Sequence, residues 1–118
     1  MNNFSQKIIV SEKQTAAKLG SGLLPVFSTP ALVALMENTA MQMIELPEGK
    51  SSVGTAINVR HLKASAVGEE ISCTSTLLSR EGNKFSFEIK AFDSKNDLIG
   101  EGTHERYLID IERFMSKL

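Results

Sequence analysis

Apolar and polar residues alternate along Phe85-Ser86-Phe87-Glu88-Ile89, the period of two expected of a strand with one buried face. From Pro30 to about Leu46 the pattern differs: there is no glycine, and Ala, Leu, Met, Glu and Gln predominate until Pro47-Glu48-Gly49-Lys50 supplies a stop. A helix is predicted there. Ser28-Thr29-Pro30 supplies its start, with Thr29 as the cap and Pro30 in the first helical position, where a missing N–H does no harm. Its first half, Ala31 to Met36, is apolar on every side, so the helix should be wrapped by sheet. Ahead of it, Ile8-Ile9-Val10 is a short β-prone run, and Ser11 to Val26, with Gly20, Gly22 and Pro25, reads as an irregular connection.

After residue 50 the period changes to two and four strands are predicted. Val53, Ile57, Val59 and His61 should share one face of the first, and Glu70 to Leu78 forms the second after a break at Gly68. Glu81-Gly82-Asn83 turns the chain into the Phe85 strand, and Asp93-Ser94-Lys95-Asn96-Asp97 turns it into a last strand from about Leu98 to Ile111. One strand, one long helix and four hairpin-linked strands make a single α+β domain over residues 1–118. A predominantly antiparallel sheet around one long central helix is the hotdog arrangement.

Composition narrows the partners. The formal charge is −1 and the basic residues are dispersed, which leaves no positive stripe for a nucleic-acid backbone. The longest apolar run, Ala31 to Met36, is far short of the ~20 residues that span a bilayer. Cys73 has no internal disulfide partner, and the start of the chain lacks the charged and apolar regions of a secretion signal, so a cytoplasmic location is expected. His61 and His104 have no partners at ligand spacing, so no metal site is expected.

Four segments carry chemistry: Phe27-Ser28-Thr29-Pro30, Leu35-Met36-Glu37, Val53 to His61 (VGTAINVRH), and Gly102-Thr103-His104-Glu105-Arg106. In order and spacing they resemble the fluoroacetyl-CoA thioesterase family of hotdog thioesterases. The resemblance runs from about Val26 to Phe114. Thr29 and Glu37 stand eight positions apart, about 12 Å along a helix axis and beyond hydrogen-bond reach, so if both act on one thioester a homodimer with its sites at the subunit interface is expected. The resemblance implies an acyl-CoA substrate, with CoA entering as part of the substrate and no separate cofactor. It also implies a catalytic set of Thr29, Glu37 and His61, a backbone N–H of Gly54 near the thioester carbonyl, and a supporting Arg106. Two positions depart from the family pattern. Pro30 stands where a glycine is expected, and Leu23-Leu24-Pro25-Val26 replaces a phenylalanine-rich lid.

These residue types suit thioester hydrolysis. A threonine hydroxyl becomes a nucleophile when a base takes its proton, imidazole titrates near neutrality, and a glycine lets backbone approach an oxyanion. Glu37 either orients His61 or acts directly as base, and Arg106 either steadies Glu37 or meets the anionic part of CoA. Thr29 is either acylated or holds the attacking water. Structural roles also fit: a cap for Thr29, a satisfied core imidazole for His61, a bulge for Gly54, a surface ion pair for Arg106. His104 is expected to be structural or exposed, and Cys73 to be packing. Two other functions use the same fold: an acyl-CoA lyase or isomerase with His61 and Glu37 as proton-transfer groups, and a noncatalytic acyl-CoA binding dimer.

Overall fold

The structure is a computed structural model and describes residues 2–118. Strand β1 (Asn3–Ile9) is followed by a 3-10 turn (Glu12–Gln14), a one-turn helix α1 (Ala16–Leu19) and the long helix α2 (Thr29–Met41). Strands β2 (Lys50–His61), β3 (Glu70–Glu81), β4 (Lys84–Phe92) and β5 (Leu98–Asp110) complete the sheet, and a short helix α3 (Ile111–Met115) follows. All pairings are antiparallel, in the order β1-β3-β4-β5-β2. The expected hotdog arrangement is present, with α2 laid across one face of the sheet.

The turns are where residue chemistry put them. Gly82, at φ 62°, and Asn83 close the β3–β4 hairpin. In the next turn Asn96 takes φ 65°, and the Asp93 carboxylate accepts the backbone N–H groups of Lys95 and Asp97, both at 3.0 Å. The core forms between α2 and the sheet, where Leu32 and Met36 meet Ile71, Phe87, Ile89 and Ile99, all 0–1% exposed. Each such side chain contributes about 1.5–3 kcal/mol by leaving water.

Four sequence expectations need correction. β1 begins at Asn3, five residues before Ile8, because its inward positions include Gln6, whose amide bonds to Asn38 and Thr39 on α2. α2 ends at Met41 rather than near Leu46, as Met43 and Ile44 turn back to the carbonyls of Ala40 and Met41. The helix is not wrapped all round either, since Ala34, Asn38 and Gln42 form an exposed stripe. Finally, Val53 does not share a face with Ile57, Val59 and His61. A β-bulge between Gly54 and Ala56 inserts one residue against β5, so Gly54 pairs with Arg106 and Ile57 with His104. Ser52 and Gly54 therefore join the helix-facing side, and Val53 pairs with the partly exposed Tyr107 on the other.

β5 approaches β2 closely beyond the bulge. A side chain at Gly102 would collide with the Asn58 carbonyl oxygen, which is backbone and cannot swing away. Gly102→Ala is therefore expected to destabilise the fold by roughly 1–3 kcal/mol in urea denaturation. An unchanged midpoint would mean that the two strands separate freely here.

Candidate active site

The start of α2 frees a hydroxyl. Ser28, not Thr29, is the cap: its buried Oγ accepts the N–H of Ala31 at 3.1 Å, and Pro30 has no N–H to satisfy. Thr29, in the first turn, is left to face the end of β2, where its Oγ1 lies 2.8 Å from Nδ1 of His61. The expected capping role of Thr29 thus passes to its neighbour, for a simple reason: the residue before it is also a hydroxyl.

His61 is held by the chain that follows it. The backbone N–H groups of Leu62 and Lys63 both donate to the Ile99 carbonyl, at 2.7 and 3.2 Å. The Lys63 ammonium then reaches Asp93 at 2.6 Å and Asp97 at 2.7 Å, which ties the end of β2 to the β4–β5 turn. Hydrogen bonding to Asp93 and then to Asp97 raises the Lys63 pKa, and the same contact lowers that of Asp93. The Phe27 ring stands edge-on to the imidazole at 6.3 Å between centroids. Burial lowers the His61 pKa below the ordinary histidine value, with the Lys63 backbone opposing. Its Nε2 is buried and has no hydrogen-bond partner among the described residues. A cavity of about 320 Å³ opens here, lined by Val26, Phe27, Thr29, Pro30, His61 and Leu62 among others.

A second cluster lies at the other end of β2. A Cβ on Gly54 would sit 2.9 Å from Oε2 of Glu37, 3.1 Å from Cε1 of His104 and 3.3 Å from Nη1 of Arg106. A side chain at Gly54 would crowd all three groups and push the Glu37 carboxylate aside. Arg106 is 6% exposed, so it is not a surface ion pair. Its Nε donates to the Ser52 hydroxyl at 2.9 Å, its Nη2 to the Ser52 carbonyl at 3.0 Å, and its Nη1 to His104 at 3.2 Å. Burial lowers the Arg106 pKa and the nearby Glu37 carboxylate opposes that.

Within one protomer the candidate residues therefore fall into two groups. Thr29 meets His61, and Glu37 lies against Gly54 with the Arg106 guanidinium nearby, not in an ion pair with it. Glu37 does not back His61: His61 meets Thr29, and Thr29 and Glu37 stand eight positions apart on α2, about 12 Å along its axis. His104 and Ser52 were not singled out from the sequence. The signal was available in β5, where Gly100, Gly102, His104 and Arg106 recur at period two and so all face the helix. Cys73 is packing, as expected: burial pushes its thiol pKa up to about 11, against a hydrogen bond with Thr39.

Comparison with known proteins gives the chain its place. Residues 10–112 match the family model described as FlK, fluoroacetyl-CoA-specific thioesterase. Over 95 residues, 79% of this chain and 68% of the relative, it is 39% identical to a fluoroacetyl-CoA thioesterase of Streptantibioticus cattleyicolor. A solved phenylalanine-to-alanine variant of the fluoroacetyl-CoA-specific thioesterase FlK, in complex with fluoroacetate and CoA, superposes with a TM-score of 0.89 at 34% identity, covering 95% of each chain. A hot-dog-like protein from Thermanaerovibrio acidaminovorans superposes with a TM-score of 0.88 at 26% identity, covering 98% of this chain and 86% of that one. With the family model spanning most of its length and the hotdog fold shared throughout, this chain belongs to the fluoroacetyl-CoA-specific thioesterase family.

Proposed function

We propose that the protein hydrolyses a small acyl-CoA thioester to the free acid and CoA, in sites each built from two copies of the chain. The observation that carries the reading is the 2.8 Å contact between the Thr29 hydroxyl and His61 Nδ1 beside a cavity of about 320 Å³. That volume lies at the small end of the range for ligand pockets, which suits a short acyl group. The related enzymes act on fluoroacetyl-CoA. Pro30 and the Leu23 to Val26 segment differ from what the fluoroacetyl-selective members are expected to carry, so the proposal is confined to the small acyl-CoA class.

The chemistry runs through a neutral imidazole. When a water bonded to Thr29 attacks the thioester carbon, its proton passes to Nδ1 of His61 and the free acid forms directly; when the Thr29 oxygen itself attacks, a water then cleaves the acyl-Thr29 ester, with His61 again taking the proton, to free the acid and restore the hydroxyl. Charge collects on the carbonyl oxygen, the C–S bond breaks, and the CoA sulfur leaves and takes up a proton. Glu37 acts as a second base or an electrostatic partner from the opposite side, steadied by Arg106, and the Gly54 backbone is available to the oxyanion. A lyase or isomerase has no use for a hydroxyl held against the base. Release of free CoA from a panel of acyl-CoAs distinguishes the three readings: a lyase gives altered acyl product without free thiol, and a binding dimer gives neither.

The two-copy site is supported by the sheet edge. β2 is the last strand, twelve residues long, and residues 54–58 on it are exposed, including Ile57 at 38%. Such an edge is a template for pairing. If two β2 strands pair antiparallel about a two-fold axis near Ile57 and Asn58, the Thr29–His61 end of one protomer meets the Glu37–Gly54 end of its partner. A cytoplasmic setting fits the single buried thiol of Cys73.

Mixing tests the shared site. Thr29→Ala and Glu37→Ala chains, each inactive alone, are co-refolded so that about half of all dimers are mixed. Each mixed dimer has one intact site and one with both lesions, so roughly a quarter of wild-type activity should return. No recovery, with mixed dimers verified by mass spectrometry, sinks the two-copy site and leaves hydrolysis standing. In the pH profile, kcat/KM should rise as His61 loses its proton. Burial favours the neutral ring, so the active form persists to lower pH and the midpoint should fall below the ordinary histidine value of 6.5. A midpoint above about 7 would argue against His61 as the base.

A further inference from the structure

His104 is 1% exposed, and both its ring nitrogens are engaged: Nδ1 lies 2.8 Å from the Ala56 carbonyl oxygen and Nε2 lies 3.2 Å from Nη1 of Arg106. A carbonyl only accepts and a guanidinium only donates, so one proton arrangement satisfies both. Nδ1 carries the hydrogen, Nε2 offers its lone pair, and the ring is neutral. Each partner is significant. Ala56 is the first residue paired after the bulge, and Arg106 is held on its remaining sides by the Ser52 hydroxyl and carbonyl. The ring also stacks at 6.3 Å and 30° on Phe87, which sets its plane, and its Cε1 forms part of the wall over Gly54.

We propose that His104 is a positioning residue for the thioesterase reaction: a neutral donor and acceptor bridge that pins the bulge carbonyl of Ala56 and fixes the Arg106 guanidinium in the neighbourhood of Glu37. The inference rests on the roles given above to Glu37 and Arg106. A protonated ring would turn an N–H toward the guanidinium and set two cations side by side, breaking the bridge. Its surroundings keep the proton off on balance: burial first, and Arg106, act against the Ala56 carbonyl, Glu37 of α2 and Glu105 of β5.

Two amides separate the bonds. In His104→Asn the side-chain nitrogen reaches the Nδ1 position and retains the bond to Ala56 but leaves Arg106 without its acceptor, whereas in His104→Gln the amide oxygen reaches the Nε2 position and retains the bond to Arg106. His104→Asn is expected to lose on the order of tenfold or more in kcat with little change in KM, and His104→Gln to retain a larger share of kcat at comparable melting temperature. Imidazole 15N NMR of the unmodified protein, assigned with the aid of His61→Gln, provides a reading independent of turnover and of variant folding: His104 should be neutral with its hydrogen on Nδ1 at neutral pH. Equal kcat for the two amides, losses that simply follow melting temperature, or an Nε2–H ring would overturn the proposal while the wild type still releases CoA. A wild type that releases no CoA from any acyl-CoA overturns the thioesterase reading itself, and the positioning role of His104 with it.

Discussion

In a regular strand, residues seven positions apart point to opposite faces, and Gly54 and His61 are seven apart on β2. The bulge between Gly54 and Ala56 adds the one residue that restores them to the same face, under α2. Most of the functional architecture depends on that inserted residue. It puts Gly54 opposite Arg106 and Ile57 opposite His104, so both halves of β2 match the helix-facing side of β5, where His104 and Arg106 lie with the flank of α2 that carries Glu37. It leaves the far half of the strand in phase to deliver His61 to Thr29.

Placing a guanidinium beneath a helix is costly, and the local sequence shows how the cost is met. Arg106 exchanges water for the Ser52 hydroxyl, the Ser52 carbonyl and the His104 ring, three fixed acceptors whose geometry suits a planar fork. Glu37 supplies opposite charge nearby. At the other end the balance is different: His61 has burial but no carboxylate behind it, so the ring stays neutral and acts as an acceptor. The two ends of β2 are thus electrostatically unlike, one charged with its guanidinium held by three hydrogen bonds, the other neutral with one ring nitrogen unbonded among the described residues. Complementary halves of this kind suit a reaction in which charge develops between them.

The sequence was most legible where a single residue type decides the local geometry. Gly82 and Asn96 at left-handed positions, and the strict alternation from Phe85 to Ile89, led to the right hairpins. It was least legible where neighbours share a capability. Ser28 and Thr29 are both capping residues, and only tertiary structure decides that the serine caps and the threonine faces His61. Gln6 and His104 were under-read for a related reason: polar residues at inward positions look like surface until their partners, Asn38 and Thr39 or Ala56 and Arg106, are known. The Val53 face was misassigned because a bulge changes the phase of a strand without changing its composition.

The division of the polar groups between the two ends of β2 has a kinetic corollary. In the proposed mechanism a protomer on its own holds the Thr29 hydroxyl without the Glu37 carboxylate, and Glu37 without the hydroxyl. In an assembly that joins the two, turnover becomes a property of encounter between chains, so specific activity should fall away on dilution below the dissociation constant. A freshly made, unpaired chain would then be harmless to the thioesters around it, and catalysis would begin only once enough copies have accumulated to meet.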